Sequence, residues 1–176
     1  YFLVKKLKIL FLITIFLLVT FQANSQNIVY ANLDILINKS NVGQKIIKHF
    51  SDKNNDLNDE LKKIEKKIKD QETSLISQKN ILQPEEYAKK VKNLNNEIKN
   101  FNLDRITKIK KINNEREEVL KSFQTEINKI LKTFAENNNI DIIMSSNQML
   151  IGKSNLDVTN DLEKIINNKI KSFKIK

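Results

Sequence analysis

Residues 57–101 read LNDELKKIEKKIKDQETSLISQKNILQPEEYAKKVKNLNNEIKNF, and the fold turns on how this stretch is read. Before the proline, Leu57, Leu61, Ile64 and Ile68 recur at alternating intervals of four and three residues, and Leu75 follows one heptad later. Beyond it, Tyr87, Val91, Leu94, Ile98 and Phe101 repeat the pattern. Lysines and glutamates fill the positions between. A helix apolar along one narrow stripe and charged elsewhere needs a partner along its length, as in a coiled coil. Gln83-Pro84-Glu85-Glu86 separates the two stripes. Proline suits the first helical position, the two acids suit the positive end of the helix dipole, and proline drives Gln83 out of helical geometry. One continuous kinked rod is the competing reading. Proline followed by two acids marks a fresh start better than a kink, so we read an antiparallel hairpin with its tip near residues 82–85. Ile68 then faces roughly Ile98, and Leu61 faces roughly Arg105.

The pattern extends outward from this centre. Ile47 and Phe50 carry it toward the N-terminus. After Arg105, where we place a shift of phase, Ile109, Ile112, Leu120, Phe123, Ile127, Ile130 and Phe134 carry it onward. The arm so defined covers residues 42–134, with helices of about 60 and 75 Å at ~1.5 Å per residue. Its seam is formed by Leu57, Leu61, Ile64, Ile68, Leu94, Ile98 and Phe101, and polar residues interrupt it at Asn54, Gln71 and Gln78. A thin arm with a partly polar seam is expected to be firm at its base and loose at its tip. The arm also carries 17 Lys and Arg against 13 Asp and Glu between Lys53 and Lys121. A mild positive excess favours acidic partners, mainly through encounter rate.

Both flanks of the arm have β character. Residues 27–37, NIVYANLDILI, open with a strand expected over 27–32 and continue into a short helical turn at 34–38. Ser40 or Asn41 is then placed to cap the first long helix. On the far side, IDIIMS at 140–145 is a second strand. Ser146-Asn147-Gln148 is a turn, and Met149, Leu150 and Ile151 are a third strand in a hairpin with the second. A closing helix follows, with Thr159 as its N-cap and Leu162, Ile165, Ile166 and Ile170 as its apolar face. The fold class is therefore mainly α with a small β body, built from residues 26–41 and 135–176, from which the helical hairpin projects. Three short strands cannot bury a large core, and oligomerisation is the natural way to complete one. Val29, Ala31, Ile142, Met144 and Leu150 are the candidate oligomerisation residues.

Composition excludes several classes of chemistry. The chain has no Cys and one His, which rules out disulfides and thiolate metal sites and leaves almost no scope for histidine clusters. Gly152-Lys153-Ser154 imitates the end of a phosphate-binding loop, but Asn147 stands where that loop needs glycine. No catalytic, cofactor or metal site is expected. The formal charge is +10, of which Lys5, Lys6 and Lys8 supply three. These lysines precede an apolar run at 9–21 and then small and polar residues, the three-part pattern of a secretory signal peptide over residues 1–25. Cleavage is expected between Ser25 and Gln26. An uncleaved anchor is the competing reading.

With these parts in place, the chain resembles the Skp (OmpH) family of periplasmic chaperones. The resemblance rests on a leader before IVYANLDILINKS, a glycine opening the first helix in NVGQKI, a charged hairpin with a QPEE tip, and the end IDIIMSSNQMLIGKSNLDVTNDLEKI. It implies a homotrimer in the periplasm whose three arms enclose unfolded outer-membrane proteins without using ATP. The family's lipopolysaccharide-binding cluster has no residue-by-residue match here, although an anionic lipid surface stays a candidate partner. Two rival readings are a structural coiled-coil protein of the envelope and a basic nucleic-acid-binding protein. Export and the lack of interleaved aromatic and basic residues argue against nucleic acid.

Overall fold

The computed structural model describes residues 26–175, so the expected signal peptide lies outside the described residues. The chain runs as strand β1 (Ile28–Ala31), helices α1 (Leu33–Lys39), α2 (Asn41–Ser77) and α3 (Pro84–Asn137), strand β2 (Ile142–Ser145), two single 3-10 turns, and helix α4 (Thr159–Lys169). The fold is mainly helical with a two-stranded β part.

Each helix boundary has a local cause. Asn32 caps α1 by accepting from the Ile35 N–H at 3.0 Å. Ser40 is fully buried and caps α2, accepting from the Gly43 N–H at 3.2 Å. Gly43 is required there because a Cβ at that position would lie 1.5 Å from the Ile37 carbonyl oxygen. Helix α2 stops at Ser77, so the tip is the turn over residues 78–83, and Leu82 belongs to this turn and not to the helix. Pro84 then starts α3 with Glu85 and Glu86 in its first turn. At the far end Asn139 takes the left-handed conformation, φ 51°, and the Ile140 N–H reaches back to the Ala135 carbonyl at 2.9 Å. This closure satisfies a carbonyl that the helix end would otherwise leave open.

The core sits where the arm joins the base. Leu36, Ile46, Phe50, Phe123, Ile127, Leu162 and Ile166 are all fully or almost fully buried there. Phe173, in the tail after α4, stacks edge-on against Phe123 with ring centroids 5.4 Å apart.

The strands pair differently from the sequence reading. No hairpin forms after β2. Residues 146–148 make a 3-10 turn, the next residues join no ladder, and Leu150 and Ile151 are almost fully exposed. Instead β2 pairs in parallel with β1, in the register Ile28 with Ile142 through Ala31 with Ser145. Parallel strands need a long crossover, and here the whole arm serves as one. The other edge of β1 is taken by Asp157, and the Val158 N–H donates to the Tyr30 carbonyl at 2.9 Å. Thr159 is not the N-cap of α4 but its first helical residue. The Asp157 carboxylate accepts the Thr159 N–H at 2.9 Å, and the buried Thr159 hydroxyl oxygen accepts from the Asn32 N–H at 2.9 Å. Residues from opposite ends of the described chain are thus stitched into one base.

Candidate functional site: the arm and its root

The two arm helices run antiparallel and are joined across the seam by charge. Lys53 Nζ lies 2.6 Å from Glu115 Oε2. Lys108 Nζ lies 2.7 Å from Glu60 and 2.9 Å from Asp104. Arg105 reaches Glu65 at 3.7 Å and Lys67 reaches Glu97 at 3.1 Å. Nearer the tip, Lys90 donates to the Gln78 amide oxygen at 3.1 Å. The ammonium of Lys53 holds the Glu115 carboxyl below its ordinary range. Lys67, helped by the Gln71 amide, does the same for Glu97. Glu60 and then Asp104 hold the Lys108 ammonium above its ordinary range. All these groups are exposed or only half-buried, so they fix register and orientation more than they add stability.

The seam departs from expectation at two places, and these pairs explain the first. The α3 stripe does not shift phase at Arg105. It keeps the heptad through Arg105, Lys108, Ile112, Glu115 and Val119, with charged residues at three of these seam positions. Ile109, an expected seam member, is an exposed residue beside it. The change of phase comes lower, where Val119, Phe123 and Ile127 are all buried at successive intervals of four. At the start of α2, Ile46 is fully buried while Ile47, the expected core residue, is 37% exposed.

Packing loosens along the arm. Leu57, Leu61 and Ile68 are buried, whereas Ile64, Leu94, Ile98 and Phe101 are half-buried. All seven are thus at least half-buried along the hairpin. Beyond Ile68 no residue of the arm is buried. A cavity of about 320 Å³ opens there between the helices, lined by Gln71, Ser74, Leu75, Gln78, Asn93 and Leu94 among others. The Gln71 amide oxygen is buried beside it without a hydrogen-bond partner.

At the root, strand alternation sorts the residues expected to oligomerise. Val29 and Ala31 are buried inside the chain, on the inner sheet face with Ile143. Their side chains join the chain's own interior. Ile142 and Met144 are exposed on the outer face, where the register sets Ile28 and Tyr30 beside them. Leu150 stands exposed in the following loop. Ile28 and Tyr30 alternate with Val29 and Ala31 along β1, and which pair turns inward depends on the parallel pairing. Among the described residues no group of three or more His, Cys, Asp or Glu is placed to hold a metal. Nor is any described helix long and apolar enough to cross a membrane.

A long coiled-coil hairpin rooted in a small base of parallel strands and short helices defines a class of arm-bearing proteins. The family model for outer membrane protein (OmpH-like) matches residues 27–166, and the chain belongs to that family. No functionally curated protein matches the sequence. Among solved structures, the chain is similar to a candidate outer membrane chaperone (OmpH-like) from Caulobacter crescentus CB15. The TM-score is 0.79 at 12% identity, covering 89% of this chain and 95% of that one. At that identity the likeness speaks for the fold.

Proposed function

We propose that this chain is an ATP-independent periplasmic holding chaperone that binds unfolded outer-membrane proteins between its arms. Residues 1–25 direct export and are removed. Three copies of the chain assemble through the outer sheet face of Ile28, Tyr30, Ile142 and Met144, together with Leu150 and Ile151. Their arms then surround a client, and no covalent chemistry takes place.

The observation that carries this reading is the pairing of an arm that loosens outward with a root where Ile142 and Met144 on the outer sheet face, and Leu150 and Ile151 beside it, are left exposed within the chain. A face of this kind drives association by removing apolar area from water. A loosening arm adapts to clients of different size. Family membership and the description of the Caulobacter structure point the same way. The basic excess of the arm speeds encounter with acidic clients and weakens with salt.

The test uses residues 26–176 and a denatured outer-membrane β-barrel diluted from urea. Light scattering should stay low in the presence of the chain without nucleotide. Unchanged aggregation at equimolar trimer would refute the proposal, and long filaments of the chain would favour a structural envelope role instead.

A further inference from the structure

The outer half of α3 carries an apolar stripe that the seam does not use. Leu103 is 55% exposed and Ile106 is 63% exposed, with the exposed Ile109 one turn further on. At ~100° per residue, Leu103 and Ile106 point about 160° and 140° away from the seam residue Phe101. They therefore contribute nothing to closing the hairpin. Three aliphatic residues at intervals of three are out of place on a helix otherwise covered by Lys, Asn and Thr.

Charge singles out the same segment. From Lys89 to Lys111 there are eight Lys and Arg and only two acidic residues, Glu97 and Asp104. Both acids are already engaged, Glu97 by Lys67 and Asp104 by Lys108. Lys99 and Lys110 flank the stripe on its own side of the helix, and neither forms an ion pair among the described residues. The surface is thus an aliphatic strip between two free ammonium groups. Its complement is a chain that presents apolar side chains next to carboxylates, with no fold of its own to hide them.

We infer that Leu103, Ile106 and Ile109, with Lys99 and Lys110, form the arm's gripping surface for an extended, acidic, amphipathic segment of an unfolded polypeptide. This inference rests on the holding-chaperone reading and adds where the arm grips and what chemistry it selects. The apolar strip gives contact without directional demands, so many sequences fit. The lysines favour segments rich in glutamate and aspartate over basic ones.

The experiment measures binding of two labelled unstructured peptides to residues 26–176 by fluorescence anisotropy. One alternates apolar residues with glutamate, and the other replaces each glutamate by lysine. Wild type should prefer the acidic peptide. L103S/I106S/I109S should bind it about tenfold more weakly, a loss of ~1.4 kcal/mol. K99E/K110E should abolish the preference while leaving every apolar contact in place, which keeps the test open if the triple variant loses helix. A tip control, I76S/I81S, replaces two other exposed aliphatic residues and should change nothing. Wild-type affinity in both stripe variants, or an equal loss in the tip control, overturns the assignment. Loss of binding to anionic phospholipid vesicles with peptide binding intact also overturns it, and assigns the surface to lipid. If wild type suppresses no aggregation and binds neither peptide, the chaperone reading itself has failed. Suppression by wild type with indifferent stripe variants sinks only the gripping surface.

Discussion

At the scale of single residues, two positions hold the chain in its course. Gly43 lets α2 pass the end of α1, since any Cβ there would overlap the Ile37 backbone oxygen. Backbone cannot yield as a flexible side chain can. Gly43→Ala should therefore destabilise the base at or above the upper end of the ~1–3 kcal/mol usual for overpacking. Urea unfolding checks this, and an unchanged midpoint would contradict it. Asn139 ends α3 with a positive φ of 51°. A β-branched residue tolerates that conformation poorly, so Asn139→Val should cost about 1–2 kcal/mol, whereas Asn139→Gly should be nearly neutral. Equal melting temperatures for the two variants would remove the argument. Gly43 was visible in the sequence as a glycine near a helix start. The Ile37 oxygen that makes it necessary was not, because that contact depends on how α1 turns into α2.

At the scale of elements, the arm is a zipper with a charged middle. The heptads could be read wherever apolar residues marked them, from Leu57 to Ile68 and from Tyr87 to Phe101. They were lost where Lys108 and Glu115 took seam positions, because a search for apolar periodicity steps aside to Ile109. Their partners, Glu60 and Lys53, lie 48 and 62 residues away. The strands posed a similar problem. Met149 to Ile151 has local β character, but pairing is decided by β1 and β2, whose partners such as Ile28 and Ile142 lie on opposite sides of the whole arm. Two predictions belong here. Glu97 and Glu115 have depressed carboxyl pKa values. Their contribution is present above the ordinary carboxylate value of ~4.3 and is lost as pH falls through the lower, folded value. Lys108 is raised, so its contribution is full below its ordinary ~10.4 and is lost only as pH rises through the higher, folded value. Amide protection of the arm relative to the Phe50 and Phe123 core should then be level near neutrality and fall in strong acid. Protection that falls equally in arm and core would argue against the clamps. Second, Gln71→Leu removes a buried unpaired oxygen beside the cavity and should stabilise the outer arm by ~1 kcal/mol or more. Slower amide exchange near Leu75 and Leu94 would register the gain, and faster exchange would count against it.

At the scale of the molecule, a hydrophobic core at the junction supports an arm that is progressively less buried and a sheet face that remains apolar on the outside. The fold class was legible in the sequence because helix period and chain punctuation are local signals. The root surface was legible only in part. Alternation in β1 allowed either Val29 with Ala31 or Ile28 with Tyr30 to face outward, and the parallel pairing turns the first pair inward. Association through the outer face and capture of an unfolded client between arms are two halves of one account. Native mass spectrometry of residues 26–176, alone and after dilution of a denatured outer-membrane β-barrel without nucleotide, tests both halves together. The account predicts a three-chain species that gains the mass of one client. A monomer that takes up no client would contradict it.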